Sequence, residues 1–477
     1  MIQTNYIVAI ELSSSKVTGA VGIETINGIK IIATASTLVD GYISKGVVRN
    51  VDKTSEAIAD IINRLEHDLT DNDGKEITIK RAYVSLAGLT MHSIQSKVTR
   101  TFDTYTKISA ETISEMELEN DALFQVPDGY SKVHVITQEY KVDGKTDHNP
   151  IGAPAMAIEG RYLNIVIKKQ FLEQLNESFE QVDTVITDSF VAACMDADIL
   201  LTKDARRNGC ALVNIGAETT TVSIYNNDNL RMLKVLPLGS NNITRDLCAE
   251  QISYDAAEVI KITRGYKSQA CETEPISNET ANNIIRARTG EILQNVKYQI
   301  EESGEMIHNI IFTGGGSRLK NLSILLEEYL PNFNTSIVSD PQLAFECKPG
   351  VNTYGIFTTA LYGLLNHGKE NCCEETSNEP QPTTLFPENI MSGNDTPEED
   401  TTTIANEEEE ARREEEQRKK KEEEDRKKRE EELKKKKKKE KEQALLNKIR
   451  GFGGLFKEFL QDATSEDEDD DINNEDD

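Results

Sequence analysis

No run in this 477-residue chain approaches the roughly 18 to 20 consecutive apolar residues of a helix that spans a bilayer, so no membrane-spanning helix is expected. Basic residues are scarce relative to acidic ones, 54 against 83, and the net charge of -29 argues against a general nucleic-acid binder, which needs a basic face to release counterions. Cysteine is sparse too: seven residues, an odd number without CxxC spacing, suit a reducing compartment. The neighbours Cys372 and Cys373 read as ordinary thiols in a linker, and no metal site is assigned to them. No basic and then apolar leader precedes the strand-like run YIVAI at Tyr6, so a protein made and kept in the cytosol is expected. The length exceeds one ordinary core and predicts two or more packed lobes.

Up to about Gly363, β-rich runs (YIVAI, AYVSLAG, LNIVI, CALVNIG, VSIYN, NIIFTGGG) alternate with helix-like segments such as TSEAIADIINRLEHDL and KKQFLEQLNESFEQV, an α/β signature. From about Asn366 to Asn406 the chain is rich in Asn, Pro, Thr, Ser and Glu and reads as a flexible linker. Glu407 to Gln443 is built of Glu and Lys/Arg blocks with acids about four residues ahead of bases, a pattern for a solvated helix of roughly 55 Å. Leu433 is nearly its sole apolar residue, so there is no coiled-coil seam. Residues 444 to 462 then place Leu445, Leu446, Ile449, Phe452, Leu455, Phe456, Phe459 and Leu460 on one half of a helical wheel, with Lys448, Arg450 and Lys457 at its margins. An anionic bilayer is the expected destination, each cation adding on the order of 1 kcal/mol; docking on the protein itself or in a partner's groove is the alternative. Gly451, Gly453 and Gly454 predict that the segment orders only on contact. Ser465 to Asp477 is almost wholly acidic and should be repelled by the same surface.

Three clusters carry the chemistry. IELSSSKVTGAVG places Ser13, Ser14, Ser15 and Lys16 in a turn between apolar strands, where small residues, hydroxyls and an ammonium can meet phosphate oxygens. ALVNIGAETTTVSIY repeats the design with Gly216 and Thr219. NIIFTGGGSRLKNLSILLEEYL joins a strand to a helix through Gly314, Gly315 and Gly316, where a plain loop would need one glycine. Two hydroxyl-bearing hairpins about 200 residues apart and a late glycine run describe two related lobes clamping a nucleotide.

That constellation resembles the actin, heat-shock-70 and sugar-kinase superfamily, and within it the FtsA family of bacterial cell division. The similarity runs from residue 1 to about 367 through GYISKGVVRNVDKTSEAI, AYVSLAG, HVITQEYKVD, NPIGAPA, SYDAAEVIKITRGYKSQA, FTGGGSRLKNL and YGIFTTALYGLL. It implies a two-lobed actin/heat-shock-70-like α/β fold with an inserted α+β subdomain. The implied divisions are a first lobe at 1–83 with 164–195 and 335–367, an insert at 84–163, and a second lobe at 196–230 and 303–334. A small subdomain at 231–302, a linker at 368–443, the amphipathic helix at 444–462 and the acidic tail at 463–477 complete them.

The resemblance further implies ATP with Mg2+ between the lobes. Ser13, Ser14, Ser15 and Lys16 would form the first phosphate loop, Gly216 and Thr219 the second. Gly314, Gly315, Gly316 and Arg318 would lie against the nucleoside, and Glu258 with Lys261 would reach the ribose; an exposed ion pair is the alternative reading of those two. The chain departs from the superfamily at Glu11 and Ser13, at Asn214 where an Asp would help hold a hydrated metal, and at Glu218, an anion near phosphates, so weak nucleotide binding and slow or absent hydrolysis are expected. The implied role is a scaffold that polymerises, binds the tail of the tubulin-like protein FtsZ and other division proteins, and fastens them to the cytoplasmic face of the inner membrane at the division site. Arg286 and Arg288 on the helix NETANNIIRARTGEILQNVKYQIEE would pair with that acidic tail. A kinase or ATP-driven chaperone with turnover is the competing reading.

Overall fold

The computed structural model describes residues 4–26, 28–69, 76–267, 276–338, 346–351 and 358–376. All lie in the compact unit Met1–Gln381; the second unit, Pro382–Asp477, falls outside the described residues, and with it the amphipathic stripe from Leu445 to Leu460, most of the linker and the acidic tail.

Within the first unit one strand plan occurs twice. In the first sheet the strands Tyr6–Leu12, Lys16–Thr25 and Gly28–Leu38 form an antiparallel meander. Arg81–Leu86 joins the meander's first strand in parallel, and Val185–Val191 joins that strand in parallel in turn. In the second sheet Cys210–Ile215, Thr220–Asn226 and Asn229–Leu236 form the same meander. Asn309–Thr313 and Asn334–Ile337 extend it in parallel from the equivalent edge. This is the two-lobed actin-like ATPase fold, and each lobe's first hairpin carries one of the two hydroxyl-bearing turns.

Burial explains the sequence pattern. Parallel strands covered by helices on both faces need near-continuous apolar runs, and Ile7 to Ile10 are all buried. The crossover helix Val51–Leu69 inserts Ile58, Ile61, Ile62 and Leu65 into the first core, and its start is fixed by Asn50 Oδ1, which accepts from Lys53 N–H at 2.9 Å. In the second lobe Asn278–Glu302 serves as the crossover, with Ser277 as its cap.

The strands His92–Lys107, Tyr130–Val142, Lys145–Asp147 and Pro154–Lys168 extend the second sheet, and His92–Lys107 meets Asn229–Leu236 through the pair Lys234 and His92. They enclose a separate small core of Val98, Ile108, Met116, Ile158 and Tyr162 under the helix Ala110–Leu123.

The linker starts later than Asn366. The helix Thr359–His367 packs into the first core, Cys372 N–H donates to the Tyr6 carbonyl at 2.8 Å, and Cys373–Thr376 pairs antiparallel with Glu76–Ile79. Cys372 and Cys373 are therefore buried core thiols, and burial pushes them up to about 11 and about 12. A composition window of forty-odd residues averages away so short a strand. Among the described residues no group of three or more metal-ligating side chains occurs.

Candidate functional site

The two hairpin turns and the glycine run face one another across a cavity of about 660 Å3, a size typical of small-molecule sites. All twelve residues singled out above line it: Ser13, Ser14, Ser15, Lys16, Gly216, Thr219, Glu258, Lys261, Gly314, Gly315, Gly316 and Arg318.

In the first turn Ser13 N–H and Oγ donate to the Lys16 carbonyl at 3.0 and 2.8 Å, which closes the loop and leaves Ser14 and Ser15 at its apex. Lys16 enters the cavity above Glu11. Burial holds its ammonium below the usual lysine range, Glu11 works against that shift, and Arg318 adds to it. In the second turn Gly216 N–H donates to the Thr219 carbonyl at 2.8 Å, and Ser240 and Asn241 N–H donate to the carbonyls of Gly216 and Ala217 at 2.9 and 2.7 Å.

The glycine run divides by task. Gly314 (φ 88°) would drive a Cβ into the Ile215 carbonyl oxygen and Asn214 Oδ1, and Gly316 would meet Ile215. Gly315 has nothing within 4 Å of where its Cβ would stand, so it leaves bare space against the cavity that packing does not require. The run continues as a short 3-10 turn, Gly315–Arg318, and the α-helix begins only at Leu322 after Asn321 in the left-handed region. Helix amides therefore do not follow directly on the glycines, as the strand–glycine–helix pattern had suggested.

Glu258 and Lys261 lie together in the helix Tyr254–Thr263, 2.7 Å apart, and both bond to Thr244 Oγ1. Lys261 is 6% exposed, and burial lowers its pKa against the pull of Glu258, so this is no solvated surface pair. Arg286 and Arg288 lie elsewhere. Arg286 Nε donates to Glu328 at 2.9 Å, and Arg288 bridges Asp246 and Glu291 at 2.5 and 2.7 Å.

Three acids not counted among the candidates also face the cavity, Glu11, Asp196 and Glu218, and the first two are the more deeply held. Asp196, 2% exposed on the helix Ala192–Leu200, accepts from Asn214 Nδ2 at 2.8 Å and from Thr359 Oγ1; Glu11 accepts from Thr358 Oγ1. Burial raises both carboxyls above their ordinary range. Hydrogen bonds lower each, and for Glu11 the charge of Asp196 adds to the rise. Asp196 thus places a carboxylate one hydrogen bond from Asn214. The signal in the sequence was an aspartate pair inside the otherwise apolar AACMDADIL.

These residues fit a magnesium nucleotide: hydroxyls at the turns, the ammonium groups of Lys16 and Lys261, a bare glycine against the wall, and two carboxylates of the kind that hold Mg2+ beside phosphates. The sequence model described as Cell division protein FtsA matches residues 211–345, and that of the SHS2 domain inserted in FTSA matches residues 88–166. Over both segments the chain is similar to the FtsA family. The FtsA of Porphyromonas gingivalis is 29% identical over 309 residues, an alignment that spans 60% of this chain and 63% of that relative. The FtsA of Bacillus subtilis is 25% identical over 350 residues, spanning 68% of this chain and 77% of the relative. The PilM–PilN type IV pilus biogenesis complex overlays with a TM-score of 0.54 at 16% identity, over 75% of this chain and 97% of that one, a likeness of fold alone. The fold is thus actin-like, and the sequence is similar to that of cell-division FtsA proteins.

Proposed function

We propose that this protein binds ATP with Mg2+ between its lobes, polymerises, and tethers FtsZ filaments to the cytoplasmic face of the membrane through residues 444–462. The convergence of three sequence-distant phosphate-type turns on one cavity carries the nucleotide part of this reading. A bound magnesium nucleotide would supply the anionic charge and divalent centre for which Lys16, Lys261, Glu11 and Asp196 are placed. The apolar stripe from Leu445 to Leu460 and its flanking cations support the membrane part. Modest anchoring per subunit suffices, because a polymer multiplies it through effective concentration. Full-length protein should sediment with anionic vesicles, and deletion of 444–462 should release at least about tenfold more into the supernatant. Equal sedimentation by the deletion variant would place the membrane contact elsewhere.

Docking of the acidic FtsZ tail on 231–302 would proceed by exchange, Arg286 and Arg288 leaving Glu328 and Asp246 for the tail. Substituting both arginines by alanine should weaken tail binding about tenfold, and unaltered binding would move the site off this helix. Asp196 and Glu11 favour a second reading, slow hydrolysis, because they bring two further carboxylates to the cavity. Single-turnover measurement of phosphate release decides between slow and absent hydrolysis.

A further inference from the structure

The hairpin Ile43–Ser44 and Val47–Val48 turns through Lys45 (φ 52°) and Gly46 (φ 70°), a left-handed pair suited to a two-residue turn. Two hydrogen bonds hold this turn from outside the second lobe. Leu89 N–H donates to the Lys45 carbonyl at 3.0 Å, and Gly46 N–H donates to Ser14 Oγ, in the first hydroxyl turn, at 2.9 Å. A Cβ on Gly46 would stand 2.9 Å from Gly88 Cα, so the turn sits directly on the cavity wall.

From the second lobe, 173 and 174 residues away, Glu218 reaches the same turn. Its Oε2 accepts from Lys45 N–H at 2.7 Å and from Ser44 Oγ at 2.9 Å, while Oε1 pairs with Arg245 at 2.7 Å. The carboxylate is 12% exposed and lines the cavity beside Gly216 and Thr219. A backbone N–H and a hydroxyl, the donors a phosphate oxygen would use, thus already serve an anion of the protein. Like charges in so enclosed a setting repel far more strongly than in water.

We propose that Glu218 is an anionic gate: it straps the Ser44–Gly46 turn across the two lobes and competes with the phosphates of an entering nucleotide. The inference rests on the nucleotide reading of the cavity. Glu218→Gln keeps the shape and removes the charge. Amides of residues 44–46 in the ligand-free full-length variant should then exchange hydrogen about tenfold faster, since a charge-assisted bond becomes a neutral one. A fluorescent ATP analogue should bind about tenfold more tightly to the variant, ADP should gain less and adenosine nothing, because the repulsion grows with ligand charge. Arg245→Ala, which strips the neutralising cation from Glu218, should weaken binding of the ATP analogue.

Unchanged exchange at 44–46 in Glu218→Gln would overturn the strap. Faster exchange with unchanged or weaker binding of the ATP analogue would overturn the competition while leaving the nucleotide site standing. Failure of the wild type and of Glu218→Gln to bind any adenine nucleotide would overturn the nucleotide reading and the gate with it.

Discussion

Gly314→Ala should lower stability by about 3 kcal/mol or more, read as a lower urea midpoint, whereas Gly315→Ala should stay within about 1 kcal/mol of the wild type. Gly314 has φ 88° and ψ 170°, a region essentially restricted to glycine, and its Cβ would stand 2.5 Å from the Ile215 carbonyl oxygen. Backbone cannot yield as a flexible side chain can. The strand Cys210–Ile215 pairs with Asn309–Thr313 on this side and with Thr220–Asn226 on the other, so a shift of Ile215 would disturb two ladders. Gly315 meets nothing, so a methyl there should project into the cavity and reduce nucleotide affinity about tenfold with the fold intact. Equal loss of stability in both variants would show that the run is glycine-rich for chain flexibility rather than for the site.

Glu11→Gln should move two properties in opposite directions. Magnesium-dependent nucleotide affinity should fall on the order of 100-fold, because one of the two carboxylates proposed to hold the metal is lost. Ligand-free stability at neutral pH should rise by about 1 kcal/mol, because a buried charge is removed. The sign follows from linkage. Burial, with the charge of Asp196, holds the Glu11 carboxyl above its ordinary value of 4.5, so between 4.5 and the raised value the native state binds more protons than the unfolded state. Stability contributed at this group therefore falls as pH rises through that window, and the penalty is complete above it. The advantage of the variant should be near zero below about pH 4 and grow as the pH rises above 4.5, which melting temperatures from pH 4 to 8 would follow. A variant with lower stability at pH 7 would mean that Lys16 more than compensates the buried charge. Asp196→Asn should behave alike toward magnesium, since the same cavity floor loses its other acid.

Local pattern made much of this legible. The runs YIVAI, CALVNIG and NIIFT are strands because a parallel sheet buried on both faces demands unbroken apolar residues. The hydroxyl turns were visible because each is bracketed by such strands, and the glycine run because one glycine would have sufficed for the turn. The pair Glu258 and Lys261 was recognisable by spacing, but its burial was not, since the wall that covers it includes Thr244 on a separate helix. Cys372 and Cys373 were misplaced in a linker because the strand that receives them, Glu76–Ile79, lies nearly 300 residues earlier.

By itself, then, the order of residues determined the α/β alternation, the two phosphate-type turns, the glycine run and the amphipathic stripe, all features whose periodicity or composition is complete within about 20 residues. Tertiary structure alone decided that Asp196 meets Asn214, that Glu11 rests on Thr358, and that Glu218 reaches Ser44 and Lys45. Those partners are 18 to 347 residues apart. No local preference encodes such pairings: Glu11 with Thr358 forms when the first lobe folds, and Glu218 with Ser44 and Lys45 only when the two lobes meet at the cavity.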